Sequence, residues 1–452
     1  MLTEVACDDP AIAELIGSSH LRFRRLIDEA EKKARPFYQR TLGREATIAE
    51  VVDEVFAAVE RDGDAAVERY TRAFDGAAIP VDRLRVPKAD CAAAWAALDP
   101  VLKASIETAI RQVEAYQRRL LPTSFGVGLD EPLGVRWLPL ARVGAYVPGG
   151  AGGSLPLFSS VIMNLVPAKV AGVAQTVVVT PPRPDGSIAA ELLATAHAVG
   201  VDEVYRVGGV PAIAALAVGT PTIRAVDKIV GPGNVIVTLA KQRAYGRCDL
   251  DMLAGPSEVL VLADATANPD FVAADLLSQA EHDSLAMAVC IVIGANIAAP
   301  IQRALSRRLD ALPEPRRTVA RESIMRFGRL IRCNDVESAV RLANRIAAEH
   351  VELMIQDPRP VLAALTNAGA IFVGPWSPEP IGDYVAGPSH TLPTGGTARM
   401  WSGIGADTFL RRTSIINLDE AGFRRLAGAG ETLATAEGLE AHAQSIRARL
   451  GR

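Results

Sequence analysis

The chain has 452 residues, 49% of them hydrophobic and 22% charged, with a formal charge of −4. That length suits two or three domains with ample core, and the charge offers no basic surface for nucleic acid and no polybasic anchor for a membrane. The acidic, proline-broken start MLTEVACDDP is not a secretory signal, and the apolar run from Ala286 to Ile293 is far too short to span a bilayer.

Residues 1–45 are read as a helical arm. From 46 to 75, apolar residues at Ile48, Val51, Val52, Val55, Phe56 and Val59 follow the spacing of an amphipathic helix, broken by the DGD at 62–64. A further helical stretch covers 90–119. The pattern changes near 143. Short β-branched runs ended by glycine or proline (VGAYVP, TVVVTPP, VYRVGG, KIVGPG) alternate with alanine-rich helical segments. The alternation continues through SEVLVLAD, MAVCIVIG, RLIRC, HVELMI and AIFVG. It predicts an α/β protein with two doubly wound, Rossmann-like parallel-sheet domains and small helical terminal segments. One domain is assigned to 46–142 with 257–400 and the other to 143–256. A helical tail covers 401–452. The glycine-rich turns GGAGG at 149–153 and GPGN at 231–234 are places where a backbone can approach a phosphate, although no GxGxxG follows a strand. The five cysteines, an odd number without CxxC, read as reduced thiols in a cytoplasmic protein.

Four of six histidines lie in polar segments of the C-terminal half, His282, His350, His390 and His442, each with a carboxylate or amide nearby in sequence. In LLSQAEHD, Gln279 and His282 are three apart at a helix end and share a face. An amide oxygen with an imidazole suits a borderline cation such as zinc, which also needs a carboxylate and a further imidazole. Asp383, in a Gly/Pro-rich loop, and His442 are the candidates. In AAEHVEL, Glu349 and His350 meet at a helix-to-strand corner and suit two proton transfers, one from an alcohol and one from water. A histidine favoured by a helix C-terminus is the plainer reading of the same pair.

The runs DKIVGPGN, DMLAGPSEVLVLAD, DLLSQAEHD, NRIAAEHVEL and NAGAIFVGPWSPEPIGDYVAGPSHTLPTGGTAR resemble histidinol dehydrogenase, over about residues 46 to 445. The resemblance implies oxidation of L-histidinol to L-histidine by two hydride transfers to NAD, in a zinc-dependent homodimer with shared active sites. It implies zinc ligands at Gln279, His282, Asp383 and His442. His350 becomes the base for the alcohol proton and Glu349 the base for water, while Ser257, Glu437 and His390 line the substrate site. Tyr146 and Asn234 become NAD contacts, and Pro211 stands at a cofactor position where the family usually has glutamine. Ser389 replaces a more common asparagine, and the glycine-rich stretch after Tyr146 is longer than usual. The nearest alternative is a related zinc and NAD enzyme acting on another small polar alcohol, such as a sulfonated diol. A zinc hydrolase using Glu349 and His350 on a metal-bound water would work without nicotinamide.

Overall fold

The computed structural model describes residues 1–10, 12, 19–149, 157–294 and 296–452. The chain forms two compact units, Met1–Leu120 with Ala141–Phe409, and Leu121–Leu140 with Leu410–Arg452.

The first unit begins with strand β1 (Thr3–Ala6) and helices α1 (Ser19–Leu42), α2 (Ile48–Asp62), α3 (Asp64–Asp75), α4 (Lys88–Ala97) and α5 (Pro100–Gln117). Helix α2 starts where Thr47 and Glu50 form a reciprocal capping box, and stops at Gly63, whose φ of 57° few other residues adopt. Its apolar stripe is buried at Ile48, Val51, Val52, Val55, Phe56 and Val59, as the spacing predicts.

After β3 (Arg142–Tyr146) come α6 (Ser159–Ala171), β4 (Gln175–Thr180), α7 (Ala190–Val199), β5 (Glu203–Arg206), α8 (Gly209–Val218), β6 (Lys228–Val230), α9 (Val235–Ala244) and β7 (Asp249–Leu250). These strands form a parallel five-stranded sheet in the order β5-β4-β3-β6-β7. Then follow β8 (Glu258–Ala263), α10 (Pro269–Ala280), β9 (Met287–Ile293), α11 (Ala298–Ala311), α12 (Arg316–Phe327), β10 (Arg329–Cys333), α13 (Val336–Ile346), β11 (His350–Met354), α14 (Arg359–Ala364), β12 (Ala370–Val373) and α15 (Glu379–Tyr384). They make a parallel six-stranded sheet, β1-β10-β9-β8-β11-β12. Strands β8 and β9 are buried at every residue, the near-continuous apolar reading of strands covered on both faces.

Three features depart from the sequence reading. The N-terminal region is not wholly helical, because β1 supplies the edge of the six-stranded sheet beside β10. Residues 46–84 share one apolar cluster with the five-stranded sheet, including Val55 and Phe56 with Leu216 and Ile229. The sequence pattern groups them instead with 257–400. The C-terminal tail also contains a strand. In the second unit, β13 (Leu410–Ile416) pairs antiparallel with β2 (Leu133–Pro139), followed by α16 (Glu420–Ala436) and α17 (Glu440–Arg449). No described helix is long and apolar enough to cross a membrane.

Candidate active site and its relatives

Strand β11 places the central imidazole. His350 is its first residue, in register with Val259 of β8 and Ala370 of β12, so it sits at the amino end of the six-stranded sheet. Its Nδ1 lies 3.0 Å from the Glu258 carbonyl oxygen. A carbonyl only accepts, so Nδ1 carries the proton and Nε2 holds the lone pair in the neutral ring. Nε2 faces Asp383, 3.7 Å from its Oδ1. Glu349 is fixed from behind, its Oε2 accepting the Glu258 N–H at 2.9 Å and lying 3.7 Å from His350 Nδ1.

Helices α10 and α15 bring the remaining groups. Gln279 is fully buried in the last turn of α10, and neither atom of its side-chain amide has a hydrogen-bond partner. His282 follows the helix end, its N–H bonded to the Gln279 carbonyl at 3.2 Å. Asp383 lies on α15 one turn after Glu379. His282, Glu379 and Asp383 offer ligand atoms that all lie within 4.8 Å of one another. Glu379 was not anticipated from the sequence, where PWSPEPIGD reads as a proline-rich loop; its signal is the four-residue spacing to Asp383. His390 joins from the following loop, with Nδ1 3.1 Å from the Asp383 backbone oxygen and Nε2 3.3 Å from Ser160 Oγ on α6. Ser257 directly precedes β8 and is half-buried. Glu437 and His442 belong to the second unit, where both are exposed, Glu437 at the end of α16 and His442 in α17.

The charges are strongly coupled. Desolvation lowers the His350 pKa, but the carboxylates of Glu349 and Asp383 outweigh it and raise it to about 10. Burial raises Glu349 to about 8 against the opposing pull of His350. Desolvation also works to raise Asp383, yet the bond from His350 and the nearby His390 hold it down to about 2. His282 is exposed, and the protein crowded around it still lowers its pKa by desolvation. Perturbed pairs of this kind are the material of acid–base sites.

A second group lies at the carboxyl ends of the five-stranded sheet, where the strand order reverses between β3 and β6. That is the usual nucleotide crevice of an open parallel sheet. Tyr146 ends β3, and its phenol accepts the Gly209 N–H at 3.4 Å. Gly231, after β6, has a φ of 104°, and a Cβ there would lie 2.2 Å from the Tyr146 carbonyl oxygen. Asn234 caps α9 by accepting the Val237 N–H at 3.1 Å. Pro211 is buried in the first turn of α8. Lys241 and Asp251, which the sequence did not single out, form a buried ion pair that grips this turn. Lys241 Nζ donates to the Gly231 oxygen at 3.0 Å and Asp251 accepts the Gly231 N–H at 2.7 Å. Residues 150–156 of the glycine-rich stretch lie outside the described residues.

The histidinol dehydrogenase family profile matches residues 38–450. The chain is 48% identical over 426 residues to the histidinol dehydrogenase of Moorella thermoacetica, covering 94% of this chain and 99% of that one. It is 47% identical over 440 residues to that of a Synechococcus strain, covering 97% and 98%. The crystal structure of histidinol dehydrogenase from Elizabethkingia anophelis superposes with a TM-score of 0.85 at 36% identity, covering 90% of this chain and 93% of that one. The chain therefore belongs to the histidinol dehydrogenase family of oxidoreductases.

Proposed function

We propose that this protein oxidises L-histidinol through L-histidinal to L-histidine, with NAD as hydride acceptor and one zinc ion, in the cytoplasm. The observation that carries the reading is the juxtaposition of His350 and Glu349 with the ligand cluster His282, Glu379 and Asp383. Gln279, His282, Asp383 and His442 would hold the metal. The buried, unpartnered Gln279 amide fits that role, and the mixed nitrogen and oxygen donors suit zinc. Zinc, when bound, supplies a template for the imidazole and amine of the substrate. Tyr146, Asn234 and the turn at Gly231 would receive the dinucleotide, since they lie at the carboxyl ends of β3 and β6, where the strand order reverses.

The protein's own groups then divide the proton work. His350 takes the alcohol proton at Nε2 while the Glu258 carbonyl fixes its tautomer. Glu349 takes a proton from water before attack on the aldehyde, and its burial makes it a stronger base than an exposed carboxylate. Asp383, once engaged by a cation, would hold the His350 proton less strongly, leaving the imidazole freer to act as a base at neutral pH. Ser257, His390 and Glu437 would contact the substrate, and His390 is braced for this by Ser160.

A homodimer with shared sites is part of this reading. Glu437 and His442 are exposed, and α16 and its flank leave Leu426, Leu433 and Leu439 uncovered, an apolar surface suited to a second copy. The deciding experiment adds L-histidinol and NAD to the zinc-loaded protein and measures NADH per histidine formed. Two NADH per histidine is expected. Histidinol consumption without nicotinamide reduction would sink the proposal.

A further inference from the structure

Beneath the candidate site lie two further acids that the proposed chemistry does not use, Asp275 and Glu352, with Glu379 of the ligand cluster linking Glu352 to the site. Three elements each carry one residue of the site and one acid deeper in the protein. On α10 these are Gln279 and Asp275, four apart; on α15, Asp383 and Glu379, four apart; on β11, His350 and Glu352, two apart. Those spacings put each pair on one face of its element. Glu352 has no exposed surface, Glu379 is 1% exposed and Asp275 is 6% exposed.

The deeper acids are joined to one another. Glu352 accepts the Glu379 N–H at 2.8 Å, which pins the start of α15 to β11. Glu352 and Asp275 act on each other electrostatically, so β11 and α10 bring these two buried acids close together. The Ser278 hydroxyl lies 2.8 Å from the backbone carbonyl of Asp275 and 3.0 Å from Glu379 Oε2, with its single proton available to either acceptor. Arg308, the cation acting on Asp275, is itself bound to Asp270. Asp275 and Glu352 each keep a buried oxygen that no N–H or O–H donor reaches.

We propose that Glu352, with Asp275, is a positioning residue of the metal centre: it holds α10 and α15 in register on β11 so that Gln279, His282 and Asp383 converge. The inference rests on the metal reading above. Partners of this kind orient ligands, and their loss typically costs about 10- to 100-fold in metal affinity or activity. What matters is an acceptor of the right size for the Glu379 N–H. Glutamine keeps that acceptor, whereas leucine fills the space and supplies none.

The test uses the full-length enzyme as wild type, Glu352→Gln and Glu352→Leu. Zinc retention is titrated with a chromophoric chelator, the visible spectrum of the cobalt-substituted protein is recorded, and kcat and KM are measured. Glu352→Leu should lose metal about 10- to 100-fold more readily, with an altered cobalt spectrum and a lower kcat. Glu352→Gln should restore affinity and spectrum. Wild-type affinity and spectrum in Glu352→Leu would overturn the inference, as would a Glu352→Gln variant as weak as the leucine one. Should Glu352→Leu fail to fold, Asp275→Leu against Asp275→Asn decides the same question with the Glu379 N–H bond left intact. A wild-type protein that binds neither zinc nor cobalt would overturn the metal reading instead.

Discussion

His350 and Asp383 face each other across 3.7 Å, from Nε2 to Oδ1, while the opposite edge of the imidazole is held by the Glu258 carbonyl. The ring is thereby oriented from both sides, with Nε2 turned toward Asp383 of the ligand cluster. His350→Asn should slow both oxidation steps, because each needs a proton removed. Glu349→Gln should slow oxidation of the aldehyde more than that of the alcohol. Losses of about 10²- to 10⁴-fold are expected. Stopped-flow assays started from histidinol and from histidinal check this, and equal damage to both steps by Glu349→Gln would contradict the assigned roles.

Removing the metal should abolish turnover and leave the fold in place. The two parallel sheets bury their apolar faces without a cation, in clusters such as that of Val261, Leu276 and Cys290. Circular dichroism and activity, recorded before and after chelation, make the comparison. Full activity in protein shown by mass spectrometry to lack zinc would end the idea.

Burial pushes the Asp75 carboxyl from 3.8 up to about 7, against the lowering effect of its bond from the Gly208 N–H. Between those values the native state binds a proton that the unfolded chain has lost. Stability therefore falls as pH rises through that window, and above it the buried charge costs up to roughly 4 kcal/mol. Asp75→Asn keeps an acceptor for Gly208 and removes the charge. Its advantage over wild type in denaturant melts should be small near pH 5 and grow toward pH 8. An advantage that does not change with pH would refute the assignment.

Ala347, two residues before Glu349, ends α13 in a left-handed conformation with φ 51° and ψ 53°. That conformation costs a residue with a Cβ about 1 kcal/mol or more, offset in part by the extra freedom glycine brings to the unfolded chain. Ala347→Gly should stabilise the protein by up to about 1 kcal/mol. Lower stability in urea unfolding would show that the strain is relieved elsewhere.

If the C-terminal segment serves the other subunit, a chain carrying Glu349→Gln and His350→Asn and a chain carrying His442→Asn should complement each other. Each homodimer should be nearly inactive, and the mixed dimer should regain one working site. Verified heterodimers without recovered activity would place His442 in its own chain's site.

The sequence made the alternating strands and helices between 143 and 374 readable, because buried parallel strands are short apolar runs punctuated by glycine or proline. Strand β1 escaped notice since TEVA is four residues long, with partners at 329–332. β2 and β13 escaped because LGVRWLP and LRRTSII mix charge with apolar residues and pair across most of the chain. Helical spacing points to Gln279 and His282 as a pair; the fold puts Gln279 in the last turn of α10 and His282 two residues past its end. Glu379 was hidden because Pro378 and Pro380 suggested a loop, where prolines in fact begin a six-residue helix. Lys241 and Asp251 look like surface charges until the fold buries them. The packing of residues 46–84 on the five-stranded sheet depends on tertiary contact, which helical periodicity does not encode.

The edge position of β1 bears on how the molecule is made. Glu4 on β1 pairs with Arg332, 328 residues later. The strands of the five-stranded sheet all lie between 142 and 250, so that sheet can close while the chain is still being synthesised. The earliest-made strand must instead wait, unpaired, until residues 329–332 have left the ribosome. Of the two parallel sheets, the one that carries His350 is thus the later to be completed, and β1 stays an unpaired strand during the interval in which a neighbouring nascent chain could claim it.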